Sequence, residues 1–355
     1  MRVEEANGTS DCAPCTGRPA DMSTEIYVLL YTLTAAAVLL TACGNLLVIV
    51  SVCLFRQLHT PTNLLILSLA VTDFLVGILV MPFHMTRLIE LCWIFGSAIC
   101  EVYKLSGLHL TFVSVYNIAL IAVDRYLGLS HPFQYRCLVS LNVILAAVLS
   151  IWLVSFFYNS SVLYVTNSSI RMCPGQCYYG FVQTIFISDL LITFILPCGT
   201  ITVLYTRIFV TARRHAVAIR ALCTQRDVTI ASDKTSTMKS ERKAAKILGI
   251  VVAVFLACLI KAPRSEHKAA KALSVVVGVF MAALLPYYIS SMLTDFIDEQ
   301  AFTIMVNCFS ILFCFNSTIN PVIYALFHPW FQKSVKLILT RQIFNPDSSL
   351  KNVIS

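Results

Sequence analysis

Residues 100–126 read CEVYKLSGLHLTFVSVYNIALIAVDRY, a run that is apolar and long enough to cross a lipid bilayer as one helix. It begins with Cys100 and ends with Asp124, Arg125 and Tyr126. Because ionisable residues at the edge of hydrocarbon are costly, we expect Asp124 and Arg125 to contact another part of the protein. Small or polar residues recur between the two ends at helical spacing: Gly107, Thr111 and Ser114.

The composition of the whole chain agrees with a membrane location. Hydrophobic residues make up 58% of the 355 residues and charged residues only 12%, whereas soluble domains carry roughly 25% charged residues. The first residues are polar, and the apolar run that starts near Ile26 is too long for a signal peptide. The sequence therefore predicts an integral membrane protein.

Seven stretches have the length of about 20 apolar residues that a membrane helix needs. Basic residues cluster in the connections on one side, which the positive-inside rule assigns to the cytoplasm. We therefore predict an all-α membrane protein, a bundle of seven transmembrane helices with an extracellular amino terminus. The spans are predicted at 26–55, 62–89, 97–129, 140–164, 179–210, 272–294 and 301–326, within a tail (1–25), a membrane domain (26–327), and an amphipathic helix with cytoplasmic tail (328–355).

An internal repeat overlaps the sixth predicted span. Residues 241–259 (ERKAAKILGIVVAVFLACL) match residues 266–284 (EHKAAKALSVVVGVFMAAL) at 12 of 19 positions without a gap. Only the second copy continues into a full-length span, and an eighth span would place the basic tail on the wrong side of the membrane. We interpret 241–260 as a non-spanning segment of the third intracellular loop region, either a loop insertion or an artefact of the gene model.

Polar, aromatic and proline residues recur inside the spans in a definite order. They are GNLLVIVSV with Asn45, LSLAVTDFLVG with Asp73, Cys100, Asp124-Arg125-Tyr126, Trp152, Pro197 followed by Tyr205, Pro286, and Asn320-Pro321-Val322-Ile323-Tyr324. Each motif is weak alone, but the ordered set resembles the rhodopsin-like (class A) G-protein-coupled receptors over nearly the whole chain. The resemblance implies a multi-pass plasma-membrane receptor, surrounded by membrane lipid, that signals to a heterotrimeric G protein.

Two further stretches resemble a narrower group, the trace amine-associated receptors, and most of all their teleost olfactory members. Residues 315–331 (FNSTINPVIYALFHPWF) resemble the seventh-helix signature of that group, with His328 where a Tyr is usual, and residues 173–177 (CPGQC) resemble its second extracellular loop. The resemblance implies a small primary, biogenic or odorant amine as ligand, and a G protein of the stimulatory or olfactory type. No nucleic acid is expected as a partner.

Asp73 is predicted to be a buried carboxylate that needs polar partners from neighbouring spans. In the family this cluster holds a sodium ion, and oxygen ligands around one carboxylate suit a hard monovalent cation. The alternative is a network of interhelical hydrogen bonds without an ion; no other cofactor is expected. The available partners are Asn45, Ser114, Asn316 and Asn320.

The Asp124-Arg125-Tyr126 triplet is predicted to form the G-protein switch. Arg125 can pair with Asp124 and with Glu266, which would hold the third and sixth helices together in the inactive state. Glu241 offers the same chemistry in the first copy of the repeat. The resemblance implies that Tyr205 and Tyr324 rearrange when this pair opens, and the alternative is an arginine that only extends to the membrane interface.

Cysteines and asparagines predicted outside the membrane are candidates for covalent modification. The resemblance implies one disulfide between Cys100 and Cys177 and a second between Cys173 and either Cys15 or Cys12, although sequence alone cannot choose the connectivity. The glycosylation sequons expected on the outer side begin at Asn7 and Asn167.

The ligand site is predicted from a missing carboxylate and an additional one. Amine receptors of this fold carry an Asp eighteen residues before the arginine of the triplet, but that position is Gly107 here. The fifth span instead carries Asp189, roughly 15 Å below its outer end. We predict that Asp189 binds the ligand ammonium, and one carboxylate favours a monoamine. The predicted walls are Gly107, Leu108, Thr111 and Phe112 on one side and Tyr287 and Tyr288, with faces suited to cation–π contact, on the other.

Several alternatives remain beside this prediction. Asp189 can instead form a structural salt bridge with Lys104 or a hydrogen bond with Ser188 or His109, and the two tyrosines can be packing residues. The ligand can be a non-amine, and the repeat can make the product non-signalling. Leu284 and Cys314 also stand where the family usually has Trp and Tyr. A transporter is disfavoured because inverted repeats are absent from the sequence, and no catalytic constellation indicates an enzyme.

Overall fold

The computed structural model describes residues 22–169, 175–177, 183–224, 299–327 and 329–340, and all the regular structure in these ranges is helical. A single 3₁₀ turn, Arg56–Leu58, follows the first helix. The α-helices are α1 (Thr24–Leu54), α2 (Pro61–Leu75), α3 (Met81–Glu90), α4 (Gly96–Ser130), α5 (Pro132–Leu138), α6 (Leu141–Ser169), α7 (Gln183–Asp189), α8 (Leu196–Thr224), α9 (Glu299–Phe327) and α10 (Pro329–Leu339).

Local sequence explains where the first helices begin. The Ser23 hydroxyl accepts a hydrogen bond from the Ile26 amide at the start of α1. Thr60 does the same for the Asn63 amide at the start of α2, where Pro61 occupies the first helical position. Both are common N-terminal signals, since the side-chain oxygen satisfies an amide that has no partner within the helix.

Two short π-helical segments interrupt otherwise continuous spans. Val76–Val80 joins α2 to α3, and Leu190–Ile195 joins α7 to α8. Such bulges often occur at functional sites because they rotate the residues on either side and leave carbonyl groups without helical partners. The second bulge begins directly after Asp189, and this position matters for the site described below.

Within the described ranges, five helical stretches are long and apolar enough to cross a membrane. They are Thr24–Leu54, Pro61–Glu90, Gly96–Ser130, Leu141–Ser168 and Ile185–Ile208. Ser310–Leu326 together with Pro329–Leu339 is a further candidate, with a bend of 93° between its two parts. These stretches match six of the seven predicted spans, while the span predicted at 272–294 and the internal repeat lie outside the described residues. The helices α6 and α8 continue past the predicted limits because a helix can extend beyond the hydrocarbon.

The third span, α4, is central in the described part of the bundle. It packs against α2, α6 and α8, while α1 packs against α2 and α9. The helices α1 and α9 approach closely at Gly44, where an added Cβ would lie 2.9 Å from the Cβ of Pro321. Only glycine permits this spacing, so Gly44 of the GNLLVIVSV motif has a packing role.

The two ends of the bundle differ in chemistry. A disulfide joins Cys100 at the start of α4 to Cys177, and we call this the disulfide end. The opposite end carries Arg125 and is called the Arg125 end. There the predicted amphipathic helix is present as α10, whose Trp330 and Leu337 pack against Phe55 and Leu58.

Candidate functional site

Asp189 is a buried carboxylate in the fifth span. It is the last residue of α7, directly before the π-helical segment, and is 8% exposed. The Thr193 hydroxyl, one turn further along, donates a hydrogen bond of 2.8 Å to Asp189 Oδ1. This bond orients the carboxylate from its own helix.

Three aromatic side chains cluster near Asp189. The rings of Phe112 and Tyr116 on α4 stack with centroids 4.4 Å apart, and Tyr158 on α6 lies 5.8 Å from Phe112. Tyr158 lies near Asp189. The third, fourth and fifth spans therefore meet at this carboxylate.

Phe112 was predicted from the sequence as a wall of the ligand site, whereas Tyr116 and Tyr158 were not. The Tyr116 hydroxyl donates to the Ile192 carbonyl at 2.9 Å, so it pairs with a carbonyl of the π-helical segment. A signal was available, since Phe112 and Tyr116 are one turn apart and so share a helix face. The sequence does not show that this face of α4 is the one that packs against the fifth span.

The other residues predicted to line the site lie on α4 or outside the described ranges. Gly107, Leu108 and Thr111 are half-buried, and the Thr111 hydroxyl donates to the Gly107 carbonyl at 2.7 Å. These three precede Phe112 by up to about one and a half turns toward the disulfide end. Tyr287 and Tyr288 lie outside the described residues.

Each of the three alternative partners of Asp189 makes a contact with another residue. The Lys104 ammonium pairs with Glu101 Oε1 at 2.8 Å and donates to Asn167 Oδ1 at 2.9 Å. His109 Nδ1 lies 2.8 Å from the Ser155 hydroxyl. The Ser188 hydroxyl donates to the Ile185 carbonyl at 2.9 Å. The proposed salt bridge between Lys104 and Asp189 is therefore not the arrangement that the structure has.

Asp73 lies in the middle of the bundle and is 1% exposed. Asn320 Nδ2 donates to Asp73 Oδ2 at 2.6 Å, which joins the second span to α9. Asn45 instead donates to the carbonyls of Thr41 and Ser317. Within the described ranges, no hydrogen-bond partner is found for five buried oxygens: Asp73 Oδ1, Asn45 Oδ1, Ser114 Oγ, Asn316 Oδ1 and Asn320 Oδ1.

Asp124 and Arg125 form a compact network at the Arg125 end. The guanidinium Nη2 of Arg125 lies 2.6 Å from Asp124 Oδ2 and also donates to the Thr62 hydroxyl. Thr62 in turn donates to Asp124 Oδ2 at 2.8 Å, and the Tyr135 hydroxyl of α5 donates to Asp124 Oδ1 at 2.6 Å. The sequence analysis predicted the pair but not Thr62 or Tyr135.

The remaining predicted switch residues are placed only in part. Tyr324 is buried, at 1% exposure, and Tyr205 is half-buried beside the core of the bundle. The Tyr126 ring contacts His131 edge-on at 6.2 Å. Glu266, the predicted partner of Arg125 on the sixth span, lies outside the described residues.

The disulfide between Cys100 and Cys177 was predicted and is present. Cys92 is also disulfide-bonded, which the sequence analysis did not predict, and its partner lies outside the described residues. Cys12, Cys15, Cys173 and Asn7 lie outside them as well. Asn167 is described, and the Nδ2 atom that a glycan would occupy donates to Glu101 Oε2.

Comparison with known proteins places this chain in a family. The family model described as "7 transmembrane receptor (rhodopsin family)" matches residues 44–263 and again residues 260–324. The first match includes the first copy of the internal repeat, and the second match includes the second copy. Each copy is therefore recognised within a separate match to the same model.

Relatives in several vertebrates match nearly the entire chain. Trace amine-associated receptor 13c of Danio rerio is 35% identical and covers 100% of this chain and 99% of its own length. Receptor 7f of Mus musculus is 34% identical, with coverage of 92% and 87%, and receptor 8a of Rattus norvegicus is 34% identical, with coverage of 97% and 94%. The chain therefore belongs to the rhodopsin family of seven-transmembrane receptors, is a receptor rather than an enzyme, and is similar over its whole length to trace amine-associated receptors.

Proposed function

We propose that this chain is a plasma-membrane receptor for a small organic amine, that Asp189 binds the ligand ammonium, and that a stimulatory G protein carries the signal. As a member of its family it is a multi-pass membrane protein that acts through a G protein. The observation that carries the ligand proposal is the carboxylate of Asp189, 8% exposed and beside the Phe112, Tyr116 and Tyr158 cluster. In this proposal the disulfide end faces outward.

The chemistry of this cluster suits an ammonium group. A carboxylate supplies the charge, and aromatic faces attract a cation through their quadrupoles at about 0.5–2 kcal/mol each. Thr193 holds Asp189 Oδ1 and Tyr116 holds the Ile192 carbonyl, so the carboxylate is oriented before a ligand arrives. Preorganisation of this kind reduces the entropy that binding costs.

Two replacements in the usual amine site favour a ligand position close to the fifth helix. Gly107 supplies no carboxylate at the position where related amine receptors carry one, and Cys314, at 2% exposure, replaces the tyrosine usual on the seventh helix. The two polar groups of the usual site are thus both replaced. A ligand with one ammonium can satisfy Asp189, whereas the second ammonium of a diamine would lack a carboxylate at Gly107, so we propose a monoamine.

The cluster around Asp73 fits a sodium ion. Five buried oxygens without hydrogen-bond partners in the described ranges suit a hard cation better than a closed hydrogen-bond network does. Asp73, Ser114 and Asn316 would hold the ion, which would supply positive charge beside the carboxylate and stabilise the ligand-free receptor. Within those same ranges no group of three His, Cys, Asp or Glu side chains is arranged for another metal.

The network at the Arg125 end supports the proposed signalling mechanism. Arg125 is 33% exposed, while its partner Asp124 is 1% exposed. Breaking the contacts with Asp124 and Thr62 would free the guanidinium to bind a G protein. Charge-assisted hydrogen bonds of this type contribute about 1.5–3 kcal/mol each, so the network can hold the receptor inactive without a ligand.

Substitution of Asp189 tests the amine proposal. Cells that express the receptor are treated with a panel of primary monoamines, and cyclic AMP and surface expression are measured. We expect Asp189→Asn to lose the response and to remain at the surface, because the amide keeps the size and the acceptor for Thr193 but removes the charge. The neighbouring Ser188→Ala is the matched control. A normal response in Asp189→Asn would remove this carboxylate from ligand binding.

A second candidate, a non-signalling product, follows from the repeat. A bundle of seven helices has one position for a sixth helix, but the family model matches this chain twice across the two copies. If both copies compete for that position, the receptor reaches the membrane without signalling. Sequencing the transcript across 241–284 decides whether both copies coexist in the mature message.

A further inference from the structure

Glu90 is a second buried carboxylate, which the proposed ligand site does not use. It is the last residue of α3, at the disulfide end, and is 7% exposed. The hydroxyls of Tyr27 and Tyr31 on α1 both donate to Glu90 Oε1, each at 2.6 Å. The other oxygen, Oε2, accepts no hydrogen bond from the described residues.

Among the described residues, no cationic side chain contacts the Glu90 carboxylate. Arg87, one turn earlier, directs Nη1 to the Cys177 carbonyl at 3.1 Å. Throughout the described ranges, no Lys, Arg or His nitrogen lies within 4.0 Å of the Glu90 carboxylate. A buried carboxylate without a cation is costly, so a cation that reached Oε2 would be bound favourably.

The surroundings of Glu90 favour an organic cation over an inorganic one. The rings of Tyr27 and Tyr31 meet edge-on with centroids 5.0 Å apart, and both side chains are half-buried. One free carboxylate oxygen gives too few ligands for a hard metal ion, which prefers six or more oxygens. An alkyl ammonium needs only a charge-assisted hydrogen bond and aromatic surface.

We propose that Glu90, Tyr27 and Tyr31 form a separate binding site for a small alkyl or arylalkyl ammonium at the disulfide end. The site lies between the first and second spans, whereas the Asp189 site lies among the third, fourth and fifth. It goes beyond the proposed function and stands on its own contacts, and it remains if the assignment of Asp189 is wrong.

Equilibrium binding of radiolabelled 2-phenylethylamine to the full-length receptor in lipid nanodiscs tests this site. The Asp189→Asn variant is expected to keep saturable binding that Glu90→Gln in the same background weakens roughly tenfold, the equivalent of one charge-assisted contact. The exposed Glu25→Gln, also at the disulfide end, is the matched control.

The glutamine variant separates ligand binding from a purely structural role. Its amide oxygen can accept the same two tyrosine hydrogen bonds and carries no buried charge, so its thermal unfolding temperature should be at least that of the parent. Tyr27→Leu, which keeps the charge but removes one aromatic face, should also weaken binding. Unchanged binding after Glu90→Gln, or no saturable binding in Asp189→Asn, would overturn the second site. If Asp189→Asn binds like the wild type while Glu90→Gln weakens binding, the Glu90 site stands and the Asp189 assignment falls.

Discussion

Asp124 shows how a single carboxylate can join three elements of the bundle. It is 1% exposed and contacts Thr62 of α2, Arg125 of its own helix and Tyr135 of α5. Burial, and next the hydrogen bond to Asp124, raise the pKa of the Tyr135 phenol above its usual value near 10. The phenol is therefore a hydrogen-bond donor throughout the physiological pH range. Its stabilising contribution is complete below pH 10 and is lost as the pH rises through the higher folded-state pKa.

Removal of this donor should increase signalling without ligand. In Tyr135→Phe the Asp124 carboxylate loses one partner, and a shift of about 1 kcal/mol toward the active state raises its population roughly fivefold. Basal cyclic AMP, normalised to surface expression, checks this. Tyr164→Phe, which changes a tyrosine that is 78% exposed, should leave basal activity unchanged. A basal level in Tyr135→Phe equal to that of the control would show that Tyr135 does not restrain the switch.

For single residues, the sequence predicted which polar side chains are candidates for the sites better than it predicted their hydrogen-bond partners. Asp124 with Arg125 follows from their adjacency, and Asp73 with Asn320 follows from a buried carboxylate beside a short list of amides. Thr62 and Tyr135 could not be predicted, because each reaches Asp124 from another element across more than ten residues of chain. Glu90 was missed because an acidic residue at a span end usually faces water.

The helix of the fifth span is interrupted directly after Asp189. The π-helical segment Leu190–Ile195 follows Asp189, and the Tyr116 hydroxyl pairs with the Ile192 carbonyl within it. Neither the bulge nor this contact is visible in the apolar sequence LLITFI, because hydrophobic periodicity does not distinguish a π-helix from an α-helix over six residues. The span itself was predictable from its length and hydropathy, as were the other five described spans.

Loss of the Tyr116 contact should weaken the ligand response through the position of Asp189. In Tyr116→Phe the ring and its stacking on Phe112 remain, but the Ile192 carbonyl loses its partner. We expect the concentration of amine for half-maximal response to rise roughly three- to tenfold, as for one neutral hydrogen bond of about 1 kcal/mol, with unchanged surface expression. An unshifted dose–response curve would mean that the bulge holds its shape without Tyr116.

The whole chain contains two similar segments, either of which can supply the sixth helix of the bundle. Each copy begins with a glutamate, Glu241 or Glu266, that is a candidate ion-pair partner of Arg125. The family model matches the chain once across each copy. The sequence exposed this duplication directly, since it depends on identity alone. Which copy packs in the bundle depends on contacts with neighbouring helices and so cannot be taken from the repeat itself.

Two matched deletions resolve the duplication. Removal of residues 241–265 leaves the second copy before Leu285-Pro286, and removal of residues 260–284 places the first copy at the same junction. Each deletion takes out 25 residues, so the loop lengths are equal. If one copy suffices, both variants should reach the surface and answer amines at least as well as the full chain. A full-length receptor that outperforms both deletions would show that the two copies are needed together.

The central claim is that the charge of Asp189 recognises the charge of the ligand, and a double-mutant cycle measures this coupling most directly. Binding of 2-phenylethylamine and of its neutral isostere propylbenzene is compared in wild-type receptor and in Asp189→Asn, each in lipid nanodiscs. We predict that the substitution weakens the amine by roughly a hundredfold and the neutral isostere by less than about threefold, a coupling of about 2 kcal/mol or more. Equal effects on the two ligands would contradict the account, because they would show that Asp189 shapes the pocket without binding the ammonium.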